Sequence, residues 1–226
     1  MESRRNRPST SRVGCGQPAQ GTPQKAQTRN SVLLMTGTDA LISLIHTFEK
    51  AHVSYMIVGS YSSNFYGIPR STMDADLVVR LDHADWGKLC SILPPNLEIE
   101  QQSSFEMVSS TRKELIKVKG SPFEIELFHL SNDAHDNTRF ERRQIVEIMP
   151  GVNAYLPTAE DVIVQKLRWS RAGKRAKDFA DVVAVLQVQD PLRLDWPYIE
   201  AWCAKHQTLD LLAEAKTEAA PAWTDT

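Results

Sequence analysis

The sequence predicts an α+β fold: a mixed sheet with flanking helices, followed by a helical segment. Three observations carry this. Up to about residue 157, short apolar runs of strand character are interleaved with helical stripes. The runs at 74–80 and 122–129 place apolar residues at every second position, the period of a half-buried strand. From Thr158 onward the apolar residues recur at helical spacing, with no strand-like run among them. The expected organisation is an extension over 1–34, a mixed domain over 35–157 and a helical region over 158–226.

Residues 1–34 are rich in Ser, Thr, Gln, Pro, Gly and Arg and poor in large apolar groups. Such a stretch buries too little surface to offset its ordering entropy, so disorder is expected. It holds six basic residues and one acid, a net of +5, which leaves −7 for the rest of a chain whose total is −2. This Arg- and Ser-rich make-up suits an RNA-binding arm or a transit peptide. The favoured reading is an upstream region outside the native protein, with Met35 as the start, because the folded pattern begins just after it.

Thr38 and Asp39 open a first helix, whose stripe is Leu41, Leu44, Ile45 and Phe48. Tyr55 to Val58 is a short strand, Gly59-Ser60 a turn, and the residues to about Tyr66 a helix that Gly67-Ile68-Pro69 breaks. Asp74 to Arg80 is the second strand, and 83–92 a helix that starts near Asp82. Strand-like runs recur at 105–109, 114–118, 122–128 and 143–156. Thr158 with Asp161 resembles a capping box and leads a helix to about Arg171 that Gly173 ends. Phe179, Val182, Val183 and Leu186 mark the next helix, and 196–206 and 208–216 two more.

Composition narrows the function classes. With 42% apolar residues the chain can build a core, and its small net charge does not demand nucleic acid as a partner. Cys15, Cys90 and Cys203 are far apart and odd in number, without a C-x-x-C pair. Neither a zinc ribbon nor a disulfide framework is expected, and a reducing cytoplasm fits. No apolar run approaches the roughly 18 residues of a membrane helix, and no apolar segment backs the basic N-terminus as a secretory signal would require. The histidines form no metal-binding cluster and are expected at the surface or half-buried, with His129 the only one near the site; Trp169, Trp196 and Trp202 are expected in the core. The run Arg139-Phe-Glu-Arg-Arg143 reads as a solvated helix end.

The chemistry-bearing segment is Tyr55-Met-Ile-Val-Gly59-Ser60, then thirteen residues, then Asp74-Ala-Asp76-Leu-Val-Val79. On a strand, Asp74 and Asp76 project to one side while Ala75, Leu77 and Val79 face the other. Adjacent carboxylates repel unless a cation lies between them, and hard oxygen ligands suit Mg²⁺ with a substrate phosphate completing its shell. Gly59 lets backbone approach a phosphate, the helix after it directs N–H groups there, and the Ser60 hydroxyl adds a hydrogen bond.

Residues 55–79 resemble the GS…DxD signature of the nucleotidyltransferase superfamily, with its polymerase-β-like fold. The approach Arg70-Ser-Thr72-Met-Asp74 and the segment 158–186, with its lysine and paired-aspartate helix, resemble the branch of AbiEii-type toxins and related bacterial nucleotidyltransferase-like proteins. The resemblance spans about residues 40–215. It implies transfer of a nucleoside monophosphate from an NTP to an acceptor hydroxyl, with Mg²⁺ or Mn²⁺. The acceptor, RNA such as tRNA, a protein or a small molecule, stays open, as does a toxin role with an antitoxin partner. By resemblance the metal ligands and catalytic acids are Asp74, Asp76 and a third carboxylate, placed at Glu126 with Glu124 as the alternative. Nucleotide contacts fall to Gly59, Ser60, Arg70, Thr72, Lys166, Asp178 and Asp181, with Lys166 also among the catalytic residues.

The family's usual third acid is Asp; glutamate is one methylene longer. That difference keeps a rival open, a binding module that retained the fold without the catalysis. Lys166 can also snorkel past apolar neighbours, and Arg70 can be a solvated loop charge. Asp178 and Asp181 can pair with Lys174 and Lys177 at i, i+4, in the weaker orientation for helix stability.

Overall fold

A computed structural model describes residues 35–100, 104–106 and 111–220. The expectation of disorder over 1–34 and the strand end at 107–109 lie outside the described residues.

Helix α1 (Gly37–Ala51) is capped by Thr36, not by Thr38: the Thr36 side chain accepts from the Asp39 backbone N–H, and the Asp39 carboxylate accepts from the Thr36 backbone N–H. Its expected stripe is fully buried. β1 (Ser54–Val58), β2 (Asp74–Arg80) and α3 (His83–Ile92) follow at or within a residue of the expected bounds, and α2 (Gly59–Tyr66) takes in Gly59 and Ser60, which the sequence suggests as a turn. Then come β3 (Leu97–Ile99), β4 (Ser104–Glu106), β5 (Thr111–Val118) and β6 (Glu124–His129). An element that the sequence reading missed, α4 (Ala134–Glu141), leads to the hairpin β7 (Gln144–Met149) and β8 (Val152–Leu156), so the run 143–156 is two strands rather than one. Gly151, at φ +76°, turns the hairpin.

The main sheet runs β1-β2-β6-β5-β3, with β4 also paired to β5. β2 and β6 are parallel and their neighbours antiparallel, which makes the sheet mixed. One face of its central strands is wholly apolar: Ala75, Leu77, Val79, Ile125 and Leu127 are fully buried against α1 and its surroundings. The other face carries acids at one end and Met56, Val58, Val78 and Phe128 beyond them. This second face is covered by Phe140 of α4 and by Trp169.

The helical segment comprises α5 (Ala159–Gly173), α6 (Ala176–Val188), α7 (Trp196–Lys205) and α8 (Leu209–Ala219) around its own core of Ile163, Leu167, Val182, Ile199 and Leu212. The helix α5 starts as expected, with Thr158 accepting from the Asp161 N–H. It ends differently: Gly173 is its last helical residue, and Lys174 takes the left-handed position at φ 50°. A buried knot fixes α5 to its surroundings. Fully buried Asp161 accepts from Thr158 (3.0 Å), from Arg142 (3.3 Å) after α4, and from the Tyr198 hydroxyl of α7.

Two expectations are corrected in this region. Arg139-Phe-Glu-Arg-Arg143 is not a solvated end: Phe140 is fully buried and Arg139 is buried against Asp136 at 2.9 Å. His135 is fully buried too, tilted against Trp202 and edge-on to His206, so not every histidine is at the surface or half-buried. The sequence hid both because α4 is polar in composition, and its burial depends on partners far along the chain.

Candidate active site

β2 presents Asp74 and Asp76 on one face, both half-buried, as the alternation required. In the parallel pairing of β2 with β6, Asp76 lies beside Glu126 and Asp74 beside Glu124. Glu126 is half-buried and lines the cleft with the aspartates; Glu124 is exposed. The cleft, about 740 Å³ and open to solvent, is bounded by Gly59, Ser60, Asp74, Asp76 and Glu126 on the sheet side. Lys113, Lys166, Arg175 and Lys177 supply positive charge around it. Burial, together with the Glu126 and Asp74 carboxylates, pushes the Asp76 carboxyl up to about 7, against the opposing pull of Lys166 and Lys177.

Gly59 is held by two independent constraints. Its φ is +61°, a left-handed conformation that disfavours a side chain. A Cβ there would stand 1.9 Å from Asp76 Oδ2, deep inside van der Waals contact. Backbone and carboxylate thus meet only because residue 59 has no side chain. Gly59→Ala is expected to cost about 1–2 kcal/mol for the backbone conformation alone, with a further loss as Asp76 is displaced. Chemical denaturation of the variant beside the wild type measures it, and an unchanged midpoint contradicts the close approach.

The helix that begins at Gly59 has Val58 as its N-cap, which offers no side-chain acceptor, and no acid in its first turn. Its leading N–H groups, with their partial positive charge, are therefore uncapped by any side chain, an arrangement suited to an anion. Ser60 Oγ accepts from Arg70 Nη2 at 2.9 Å, which leaves its own O–H to donate.

The remaining predicted residues form one buried ionic network. Lys166 Nζ donates to Asp178 Oδ1 at 2.9 Å and to Asp181 Oδ2 at 2.8 Å. Arg70 grips Asp181 through Nε (2.7 Å) and Nη2 (3.0 Å), and Ser63 of α2 donates to the same carboxylate at 3.2 Å. Arg175 Nε reaches Asp178 at 3.0 Å. Burial raises the Asp181 carboxyl, but the hydrogen bonds from Arg70 and Lys166 outweigh it and hold the group below the usual carboxylate range. The i, i+4 pairing of Asp178 and Asp181 with Lys174 and Lys177 gives way to this network, and both aspartates point inward. Arg70 is likewise bound to Asp181 and Ser60 rather than being a loop charge in solvent. Thr72 Oγ1 donates to Asp74 Oδ1, so its hydroxyl orients a carboxylate.

Among the described residues, no three His, Cys, Asp or Glu side chains converge into a ready-made metal cage. The reason is visible in the site: Glu126 Oε1 is held by Lys113 Nζ at 2.8 Å, and Asp74 by Thr72. Asp74 and Asp76 nevertheless fit Mg²⁺, which usually takes one or two carboxylates plus substrate phosphate rather than an all-protein shell.

The sequence reading missed Lys113, Arg175 and Lys177 as cleft residues. Lys113 belongs there because its Cα pairs with Phe128, which fixes the face it shares with Glu126. Trp169 is not simply core: it lies at the cleft beneath Arg175, whose guanidinium sits 5.2 Å from the indole centre.

Solved structures resemble the chain at low identity. No protein-family model and no curated protein matches it. An antigenic nucleotidyltransferase-like protein from Paracoccidioides brasiliensis is 18% identical, with 79% of this chain and 91% of that one covered and a TM-score of 0.49. JHP933 from Helicobacter pylori is 14% identical over 81% and 88%, at 0.44. ANT(2")-Ia in complex with adenylyl-2"-tobramycin is 11% identical over 81% and 99%, at 0.42.

Proposed function

We propose that the protein transfers a nucleoside monophosphate from an NTP to an acceptor hydroxyl, with the triphosphate held in the cleft between the Gly59 turn and Asp74/Asp76. The observation that carries this is the contact of Gly59 with Asp76. It sets an uncapped helix N-terminus and a pair of carboxylates side by side, where phosphate and its cation would meet.

Each residue then has work to do. The first-turn N–H groups of α2 and the Ser60 hydroxyl bind phosphate oxygens. Arg175 and Lys177, which also line the cleft, offset the charge of the leaving pyrophosphate. Asp74 and Asp76 would hold Mg²⁺ or Mn²⁺, and that ion would supply neutralisation of phosphate charge. Glu126 beside Asp76 is placed to accept the acceptor's proton or to add a metal ligand once Lys113 turns to phosphate. Lys166, Arg70 and Asp181 act through position: their network ties α2, and so Ser60, to α5 and α6. Catalysis of this kind is chiefly alignment and electrostatics.

The test is incubation with each α-labelled NTP, divalent metal and total cell extract. Label on a macromolecule with matching pyrophosphate release is the expected result; no label and no pyrophosphate from any NTP contradicts the reading. The labelled fraction names the acceptor as RNA, protein or small molecule. Growth arrest on expression, relieved by a neighbouring gene, is the sign of a toxin held by an antitoxin. The ion pair between Glu126 and Lys113 favours a second reading, a module that binds nucleotide without transferring it. Binding without pyrophosphate release selects that one.

A further inference from the structure

The three carboxylates of the cleft are not neutralised alike. Among the described residues, neither Asp74 nor Asp76 forms an ion pair with a basic side chain, and Asp74 accepts from the Thr72 hydroxyl. Glu126 comes with a cation of its own: Lys113 Nζ donates to its Oε1 at 2.8 Å. The same ammonium stands 5.7 Å from the centre of the Phe128 ring. Strand geometry explains the grouping. Lys113 pairs with Phe128 across β5 and β6, and Phe128 follows Glu126 two positions later, so the three side chains share one face.

Of the other cleft cations, Lys166 and Arg175 serve the aspartates of α6, Lys166 both Asp178 and Asp181 and Arg175 only Asp178. Two adjacent acids are thus left for a divalent ion, which their mutual repulsion favours, while the third is neutralised by the protein itself. The Lys113 and Glu126 side chains are each 26% exposed, so the pair has room to rearrange when substrate arrives. Glu126 Oε2 has no hydrogen-bond partner among the described residues and is free to accept a proton.

We propose that the Lys113 ammonium fills, beside Glu126, the role that a second divalent ion plays in two-metal sites, so that transfer uses one ion and one lysine. The inference rests on the nucleotidyltransfer reading, because Glu126 and Lys113 line the cleft that would hold the triphosphate. The acceptor hydroxyl gives its proton to Glu126 as its oxygen bonds to the α-phosphorus. The bond from that phosphorus to the pyrophosphate oxygen breaks, and pyrophosphate leaves with the bonding pair. As Glu126 becomes neutral, the ammonium loses the charge that held it and is drawn to the phosphoryl oxygens in the transition state. A lysine suits this exchange: its charge is compact, its stem is flexible, and its three N–H donors let it keep one contact while gaining another. Glu126 is then an acceptor of the proton rather than a metal ligand, and Lys113 is what holds it ready.

The experiment counts ions and separates binding from transfer. Mn²⁺ is titrated into the full chain with the α,β-methylene analogues of UTP, CTP, ATP and GTP, and followed by electron paramagnetic resonance. A single Mn²⁺ per nucleotide-bound chain is expected, without the magnetic coupling of two ions held roughly 3.5–4 Å apart. Lys113→Met is expected to lower kcat about 10²-fold or more while Mn²⁺-nucleotide affinity stays within about threefold, the mark of a contact made only in the transition state. Lys113→Arg, which keeps the charge, is expected to hold transfer within about tenfold of the wild type. Thermal melting checks that both variants fold, and the ion count on the wild type tests the proposal even if Lys113→Met does not. A coupled pair of Mn²⁺ ions in the wild type, or undiminished transfer by Lys113→Met, overturns this proposal and leaves the nucleotidyltransfer reading standing. Loss of Mn²⁺-nucleotide binding together with transfer in Lys113→Met makes the lysine a binding group and overturns its role at Glu126. No transfer from any NTP by the wild type overturns both.

Discussion

Asp76→Asn is expected to reduce nucleotidyl transfer on the order of 10³-fold or more, while the metal-free protein becomes more stable to heat. The first effect follows from removing one of two metal-facing carboxylates at the place where phosphate charge must be neutralised. The second follows from the environment: Asp76 is half-buried beside Glu126 and Asp74, so the isosteric amide relieves a cost that the fold bears when no cation is bound. Function and stability thus move in opposite directions, which separates a site residue from a structural one. Asp74→Asn shares the loss of activity. Steady-state kinetics and calorimetry on the same preparations check both; retained transfer, or a fall in melting temperature with the loss, contradicts the account.

Lys166→Met is expected to destabilise the protein by about 3–5 kcal/mol, the usual cost of removing one partner from a buried ion pair. The lysine is the only group that bonds Asp178 and Asp181 together among the hydrogen bonds of the described residues, and both aspartates are buried. For a chain of this size, such a loss lowers the melting temperature by roughly 6–20 °C. Adding Asp178→Asn to Lys166→Met is expected to restore part of that loss, because the orphaned buried charge is what costs most. A drop below about 1 kcal/mol in the single variant would contradict the network. If Lys166 instead served only to touch phosphate, activity would fall and stability would not.

The contrast between these two sites shows what the sequence could tell. Asp74, Asp76, Gly59 and Ser60 lie within one strand–turn–helix–strand stretch, so strand alternation and a glycine turn suffice to place them. The central strands were legible for the same reason: Leu77, Val79, Ile125 and Leu127 alternate, and all four are fully buried. The network around Lys166 was only half legible. Spacing picks out these residues but offers Lys174 and Lys177 at i, i+4 as their partners, whereas the structure turns Asp178 and Asp181 towards a lysine on another helix and Asp181 also towards an arginine more than a hundred residues away. Lys113 escaped because its place depends on the register between β5 and β6. α4 escaped because His135, Asp136 and Arg139 look solvated in sequence and are buried by contacts that sequence spacing does not encode.

The central claim is that Asp74 and Asp76, set against the Gly59 turn, bind a divalent cation together with an NTP. Titration of Mn²⁺ followed by electron paramagnetic resonance tests it most directly, with and without NTP, on wild type and on Asp74→Asn/Asp76→Asn. Weak Mn²⁺ binding that tightens at least tenfold when NTP is present, and vanishes in the double variant, is the predicted result. Mn²⁺ binding that ignores NTP, or that persists undiminished in the double variant, would contradict it.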